Sequence, residues 1–246
     1  MALLRTEGLT KRFGGLLAVD HIDLEIQPGE AVSIVGPNGS GKSTFFNLIT
    51  GFYSSDEGKI FFDGQEITRV PPYRRAHMGI GRTFQIPRPF GSLTVRQNVA
   101  IGAMFGTKEG QMDVEQALVF ADKQLKRIGF YGRRDRQGRE LTPTEMKMME
   151  IARALAMRPK LLLLDESMAG MPPKDIDALV ELLKSIKQEE QIAVIAMVEH
   201  IMRAVVSFAE KVVVFYQGKK MLEGHPTEAL NDSRVVDVYL GREAAE

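Results

Sequence analysis

From Gly36 to Ser43 the chain reads Gly36-Pro37-Asn38-Gly39-Ser40-Gly41-Lys42-Ser43, and Thr44 follows. Closely spaced glycines let successive backbone N–H groups turn inward, and such a nest cradles phosphate oxygens. A lysine at the end of the loop reaches the outer phosphates of a nucleotide, and the serine beside it offers a hydroxyl to Mg²⁺. Thr44 is expected at the innermost phosphate. Further on, the apolar run Leu161–Leu164 ends in Asp165 and Glu166. A carboxylate at the end of a buried strand can hold Mg²⁺ through water. A second one beside it can orient or deprotonate an attacking water. An apolar run ending in Asp-Glu says little alone; paired with the loop, it points to phosphoryl transfer.

These groups need elements to hold them. Ala31–Val35 reads as a strand into the loop, and the residues after Lys42 read as a helix out of it. Upstream, "LLRTEGLT" and "HIDLEI" are strand patterns separated by turn residues, including Gly14-Gly15 and Pro28-Gly29. "GKIFFDGQEI" is expected to form a hairpin turning at Asp63-Gly64. From about Thr94 to Arg158 apolar residues recur at helical spacing, as in "VRQNVAIGAMFG" and "DVEQALVFADKQLKRIGF". "LLLLD" and "IAVIAMV" then alternate with the helical "DIDALVELLKSIKQEE", which predicts a parallel sheet with crossover helices. A last hairpin is expected to turn at Gln217-Gly218. A short capped helix, "PTEALND", should precede a polar tail.

The 246 residues are 44% hydrophobic and 26% charged, an ordinary globular composition with room for a sizeable core. Formal net charge is zero, so no global basic field argues for nucleic acid. With no cysteine, disulfides and thiolate metal sites are excluded. The N-terminus lacks the apolar core of a signal peptide, and no apolar run approaches the roughly 20 residues of a membrane span. A soluble chain that reaches a membrane through a partner is expected.

In the order of its motifs the chain resembles the ATP-binding subunits of ABC transporters. "GPNGSGKST" matches the Walker A motif and "LLLLDE" the Walker B motif. "TFQ" then places Gln85 as the Q-loop glutamine, "VEH" places His200 as the switch histidine, and "KRFGG" places Phe13 where the family stacks a ring on adenine. Alone, these three read as a loop residue, a strand-end histidine and a core aromatic; their shared order reverses that. The resemblance implies a single ATPase domain of α/β class with a P-loop NTPase core. Residues 1–90 and 159–246 would form the core and a β-rich lobe, and residues 91–158 an inserted helical subdomain. It implies ATP and Mg²⁺, with Ser43, Gln85 and Asp165 around the metal and Glu166, Gln85 and His200 acting at the γ-phosphate. It implies dimerisation with a second ATPase subunit, separate transmembrane permease subunits and, indirectly, a solute-binding protein, at the cytoplasmic face of the membrane. "RTFQ" with "LTVRQNV" looks most like the branched-chain amino-acid importer subgroup, whose near relatives include urea importers and the lipopolysaccharide-export ATPase. Ile86–Phe90 is then an expected contact for a permease.

Two stretches depart from the family pattern. Where the family has the signature Leu-Ser-Gly-Gly-Gln, this chain has Leu141-Thr142-Pro143-Thr144-Glu145. In the family this segment closes over ATP held by the other subunit. Thr142 with Glu145 predicts a capping box and Pro143 a first helical residue, so the helix should survive. Its grip on phosphate should not: proline lacks an N–H, both glycines are gone, and Glu145 adds negative charge. After Glu166 the usual proline is Ser167, and the next loop carries Pro172 where relatives carry Asp or Asn. Cis-acting groups look intact and trans-acting ones altered. The chain is therefore expected to work in an unequal pair; a non-hydrolytic ATP switch is the alternative.

Overall fold

A computed structural model describes residues 1–108, 112–190, 192–197 and 202–240. The chain builds two sheets. In the first, β1 (Leu4–Phe13) lies between β2 (Leu16–Ile26) and β4 (Glu57–Phe62), with β5 (Gln65–Glu66) at the edge, all antiparallel. Ile22, Leu24 and Ile26 point inward while Asp23 and Glu25 point out, the period of a half-buried strand. The expected hairpin turns at Asp63 and Gly64, with φ of 48° and 76°, the left-handed pair that a two-residue turn needs.

The second sheet runs β10 (Lys219–Gly224), β9 (Lys211–Tyr216), β3 (Ala31–Val35), β8 (Ala193–Met197), β7 (Leu161–Asp165) and β6 (Ile80–Arg82). All neighbouring strands from β9 to β6 pair in parallel, and β10 closes the edge as an antiparallel hairpin through Gln217-Gly218. β3 and β7 are buried along their whole length, as their largely apolar patterns, broken only by Ser33 and the terminal Asp165, lead one to expect. α1 (Lys42–Thr50) leaves the end of β3, and α6 (Pro173–Glu190) is the crossover from β7 to β8. The carboxyl ends of β3 and β7 therefore share one edge of the sheet, where open α/β folds bind ligands.

Between β6 and β7 come α3 (Val95–Phe105), α4 (Val114–Arg127) and α5 (Pro143–Ala156). α3 packs on both α4 and α5. Thr94, Asp113 and Thr142 each close a capping box at the start of one of them.

Four elements differ from the sequence reading. β6 is three residues long, too short to leave a period. α2 (Pro72–Met78) is a single short helix begun by proline at its first position. α8 (Pro226–Asn231) has no side-chain cap. The expected polar tail is α9 (Ser233–Leu240), because Val235 and Val238 recur at helical spacing and are buried. Among the described residues, no helix is long and apolar enough to cross a membrane.

Candidate functional site

The loop after β3 is shaped by its neighbours. Gly36 has φ 148°, and a Cβ there would sit 2.1 Å from the Phe215 carbonyl oxygen of β9. Gly41, with φ 101°, would place a Cβ 2.3 Å from the Ala18 oxygen of β2. Only glycine fits either place, so the loop is pressed between the two sheets. Gly218 N–H donates to the Ser40 carbonyl at 3.1 Å, tying the β9–β10 turn to the same loop. Lys42 is buried and curls back, its Nζ donating to the carbonyls of Gly36 (2.7 Å) and Pro37 (2.9 Å). Asn38, Gly39 and Ser43 are exposed, and Thr44 is half-buried. Gly41 caps α1, so Lys42, Ser43 and Thr44 form its first turn, where helix N–H groups favour an anion.

Phe13 ends β1 and is 41% exposed. It meets Tyr53 edge-on, ring centroids 5.3 Å apart, and Lys11 Nζ lies 5.5 Å from its ring centroid, so the ring is only part-covered.

On the other side, residues 82–85, from the last residue of β6 onward, engage residues 165–167, from the last residue of β7 onward. Arg82 donates to Asp165 Oδ2 at 2.7 Å, and both side chains are buried. The same guanidinium reaches Asn47 Oδ1 (2.7 Å) and Thr50 Oγ1 (3.1 Å) on α1. Thr83 Oγ1 and Ser167 Oγ lie 2.6 Å apart, and Thr83 Oγ1 also accepts from the Asp165 N–H at 3.1 Å. Gln85 Nε2 donates to Glu166 Oε2 at 2.7 Å. Glu166 has φ 46°, a left-handed value that stops the strand and is uncommon outside glycine. Its carbonyl is held by Lys147 Nζ at 3.1 Å and by the Ala169 N–H at 3.1 Å. Burial draws the Lys147 ammonium below its ordinary pKa, and the Glu166 charge opposes that.

Asp165 Oδ1 is buried without a hydrogen-bond partner. An orphaned carboxylate oxygen at the end of β7 suits a cation or its bound water. The hard oxygen donors Ser43 and Asp165, with the Gln85 amide, fit Mg²⁺ by chemistry. His200 lies outside the described residues.

At the start of α5 the capping box forms. Thr142 Oγ1 accepts from the Glu145 N–H, and Glu145 Oε2 accepts from the Thr142 N–H at 2.9 Å. Pro143 takes the first helical position. Glu145 does not stand as a bare charge, as the sequence suggested: Arg133 and Arg136 each reach its Oε1 at 2.9 Å. The Thr142 N–H first, with help from these arginines, holds the Glu145 carboxyl below its ordinary 4.5. Such a group stabilises the helix start fully above the unfolded value, and the contribution is lost as pH falls through the lowered one. A carboxyl-carbon NMR titration of Glu145 is expected to give a midpoint below 4.5; a midpoint at or above it removes the cap as the dominant contact.

Sequence reasoning assigned no role to Arg82, Lys147 or Glu150, which organise the site. Arg82 opens the "RTFQ" stretch, but nothing local pairs it with Asp165. Glu150 did leave a trace: it is a carboxylate among the buried residues Met149, Ile151 and Ala152 of α5, three residues before Arg153.

Comparison with known proteins gives a consistent set of relatives. The family described as ABC transporter matches residues 19–169. The high-affinity branched-chain amino acid transport ATP-binding protein BraF of Pseudomonas aeruginosa is 34% identical over 97% of this chain and 98% of its own length. The protein LivG of Escherichia coli, of the same description, is 36% identical over 97% and 98%. Among solved structures, the ADP conformation of MJ1267, an ATP-binding cassette of an ABC transporter, is 33% identical with a TM-score of 0.87, covering 98% of this chain and 99% of that one. A dimeric post-hydrolysis state of the cassette MJ0796, bound to ADP and Pi, is 26% identical with a TM-score of 0.83, covering 91% and 98%.

Proposed function

Because this chain belongs to the ABC transporter family, as an ATP-binding and ATP-hydrolysing subunit, we propose that it powers import of branched-chain or related amino acids through separate permease subunits, as one half of an unequal ATPase pair. The observation that carries the pairing is the contrast within one chain. Gln85 meets Glu166, and Arg82 ties Asp165 to α1, the helix that leaves the loop, which supports an intact cis site. The trans-facing Thr142–Glu145 has a proline, no glycine and a carboxylate folded onto its own helix.

In this reading Phe13 stacks on the adenine, and Gly36–Thr44 wraps the phosphates. Lys42 swings from the Gly36 and Pro37 carbonyls to the outer phosphates. Ser43, Gln85 and Asp165 would hold Mg²⁺, which when bound supplies charge neutralisation on the phosphate oxygens. Glu166, with His200, orients the attacking water and takes its proton, and Gln85 holds the Glu166 carboxylate at the γ-phosphate side. Residues 1–90 and 159–246 act as the nucleotide-binding body, and 91–158 as the subdomain that offers the trans segment. The exposed Ile86 and Phe90 face the permease, at the cytoplasmic side of the membrane. The branched-chain names belong to relatives that cover nearly this whole chain, which supports that solute class over urea or lipopolysaccharide.

A homodimer would carry two altered trans segments, whereas a partner with an intact signature completes the site of this chain. The assembled complex with such a partner is expected to turn over ATP at least about tenfold faster than the isolated chain. Equal rates would remove the unequal pair. ATP binding without turnover in either form would instead support a non-hydrolytic switch, the reading that the altered signature also allows.

A further inference from the structure

Glu150 is 3% exposed and sits on α5, outside the phosphate loop. Its carboxylate instead meets the backbone of the loop after β6. Oε2 accepts from the Phe84 N–H at 3.2 Å, and Oε1 accepts from the Arg88 N–H at 2.8 Å. Arg153 Nη2 donates to the same Oε1 at 2.9 Å. The Arg153 guanidinium also donates to the Arg88 carbonyl at 3.2 Å and lies 5.7 Å from the Phe90 ring centroid. Asn98 of α3, fully buried, accepts from the Phe90 N–H at 2.8 Å and donates to the Phe90 carbonyl at 3.1 Å.

A buried carboxylate is costly to desolvate and persists where it is fully hydrogen-bonded. Here two of its partners are backbone amides on either side of Gln85. Charge-assisted bonds to amides are short and directional. They fix the path of residues 84–88, and with it the direction in which the Gln85 side chain leaves the loop. One helical turn earlier on α5, Lys147 holds the backbone of Glu166. Both members of the Gln85–Glu166 contact are thus set from one helix face, Glu166 by Lys147 and Gln85 by Glu150.

We propose that Glu150 is a positioning residue for Gln85: it pins the loop to α5, so that the Gln85 amide reaches Glu166 and the γ-phosphate only while α5 is in place. The inference rests on the reading that Gln85 acts in ATP turnover.

In Glu150→Gln one carboxylate oxygen becomes an NH₂ that opposes an amide N–H, so one arm of the pin is lost. Hydrogen exchange at Phe84 and Arg88 is expected to quicken. In the assembled transporter kcat should fall between about tenfold and about 100-fold, with KM for ATP within about twofold, because the nucleotide contacts lie elsewhere. Added to Gln85→Ala, Glu150→Gln should cost little more, since both act through one contact. Glu150→Asp, which keeps the charge and shortens the reach, should give a smaller loss of kcat and serves if the glutamine variant does not fold. Unchanged exchange removes the pin. A normal kcat in Glu150→Gln, with Gln85→Ala impaired, overturns the positioning role alone. A normal kcat in Gln85→Ala overturns the reading beneath it as well.

Discussion

Glu166→Gln, in a complex that holds both ATPase subunits, is expected to lower ATP turnover by about 100-fold or more, with ATP affinity little changed. The geometry sets this expectation. Glu166 stands where β7 ends, in a left-handed conformation fixed from behind by Lys147 and Ala169. Its carboxylate is met by the Gln85 amide at 2.7 Å. An amide at position 166 can still accept that bond, so the local structure should persist while the carboxylate proposed to take the proton is gone. The substitution lies outside Gly36–Thr44, the segment proposed to bind the phosphates. Single-turnover hydrolysis beside an ATP-binding isotherm separates the two effects. If the matching substitution in the partner stops turnover and Glu166→Gln leaves it normal, the productive site is the other one.

The second large effect lies far from any carboxylate. Arg75, on α2, is 2% exposed and donates to the carbonyls of Leu48 (2.6 Å), Ile49 (2.8 Å), Val70 (2.7 Å) and Thr68 (3.0 Å). Burial draws it down to about 10. Leu48 and Ile49 are in the last turn of α1, whose carbonyls have no partners within the helix and whose dipole favours a cation. The Leu48 carbonyl keeps the Gly51 N–H, but Arg75→Met strands the buried Ile49 carbonyl and takes a partner from Val70 and Thr68, each stranded acceptor costing about 1–3 kcal/mol. A loss of about 3 kcal/mol should lower Tm by roughly 6–12 °C for a chain of this size. Arg75→Lys should recover only part of it, because a point-like ammonium cannot serve a fork of four carbonyls. Thermal denaturation is the measurement, and a fall under about 2 °C would mean that water replaces the guanidinium.

The glycine loop after β3 and both hairpins were legible because their signals are local. A glycine spacing, a two-residue turn and an unbroken apolar run each fix a few φ/ψ values by themselves. The capping box at Thr142 was legible for the same reason. What surrounds Glu145 was not, since Arg133 and Arg136 approach from a preceding turn and carry no motif. Their presence changes the physical reading of the altered segment. Added negative charge matters less than the missing N–H of Pro143 and the side chains that stand where glycines would let phosphate come close. The pairing of Arg82 with Asp165, and of Glu150 with the Phe84 and Arg88 amides, was not legible because these partners are distant in sequence and are brought near by β6 pairing with β7. α9 was hidden by its charges, although its valines have helical spacing.

The hydroxyl pair Thr83–Ser167 couples two stretches of chain that lie far apart in sequence. The two oxygens are buried at 2.6 Å and each completes the other. Replacing Ser167 by proline, the family's usual residue there, removes one hydroxyl and leaves Thr83 with a single remaining partner in the Asp165 N–H. The cost of a change at position 167 is therefore set in part by the residue at position 83, so the two substitutions should be non-additive in stability.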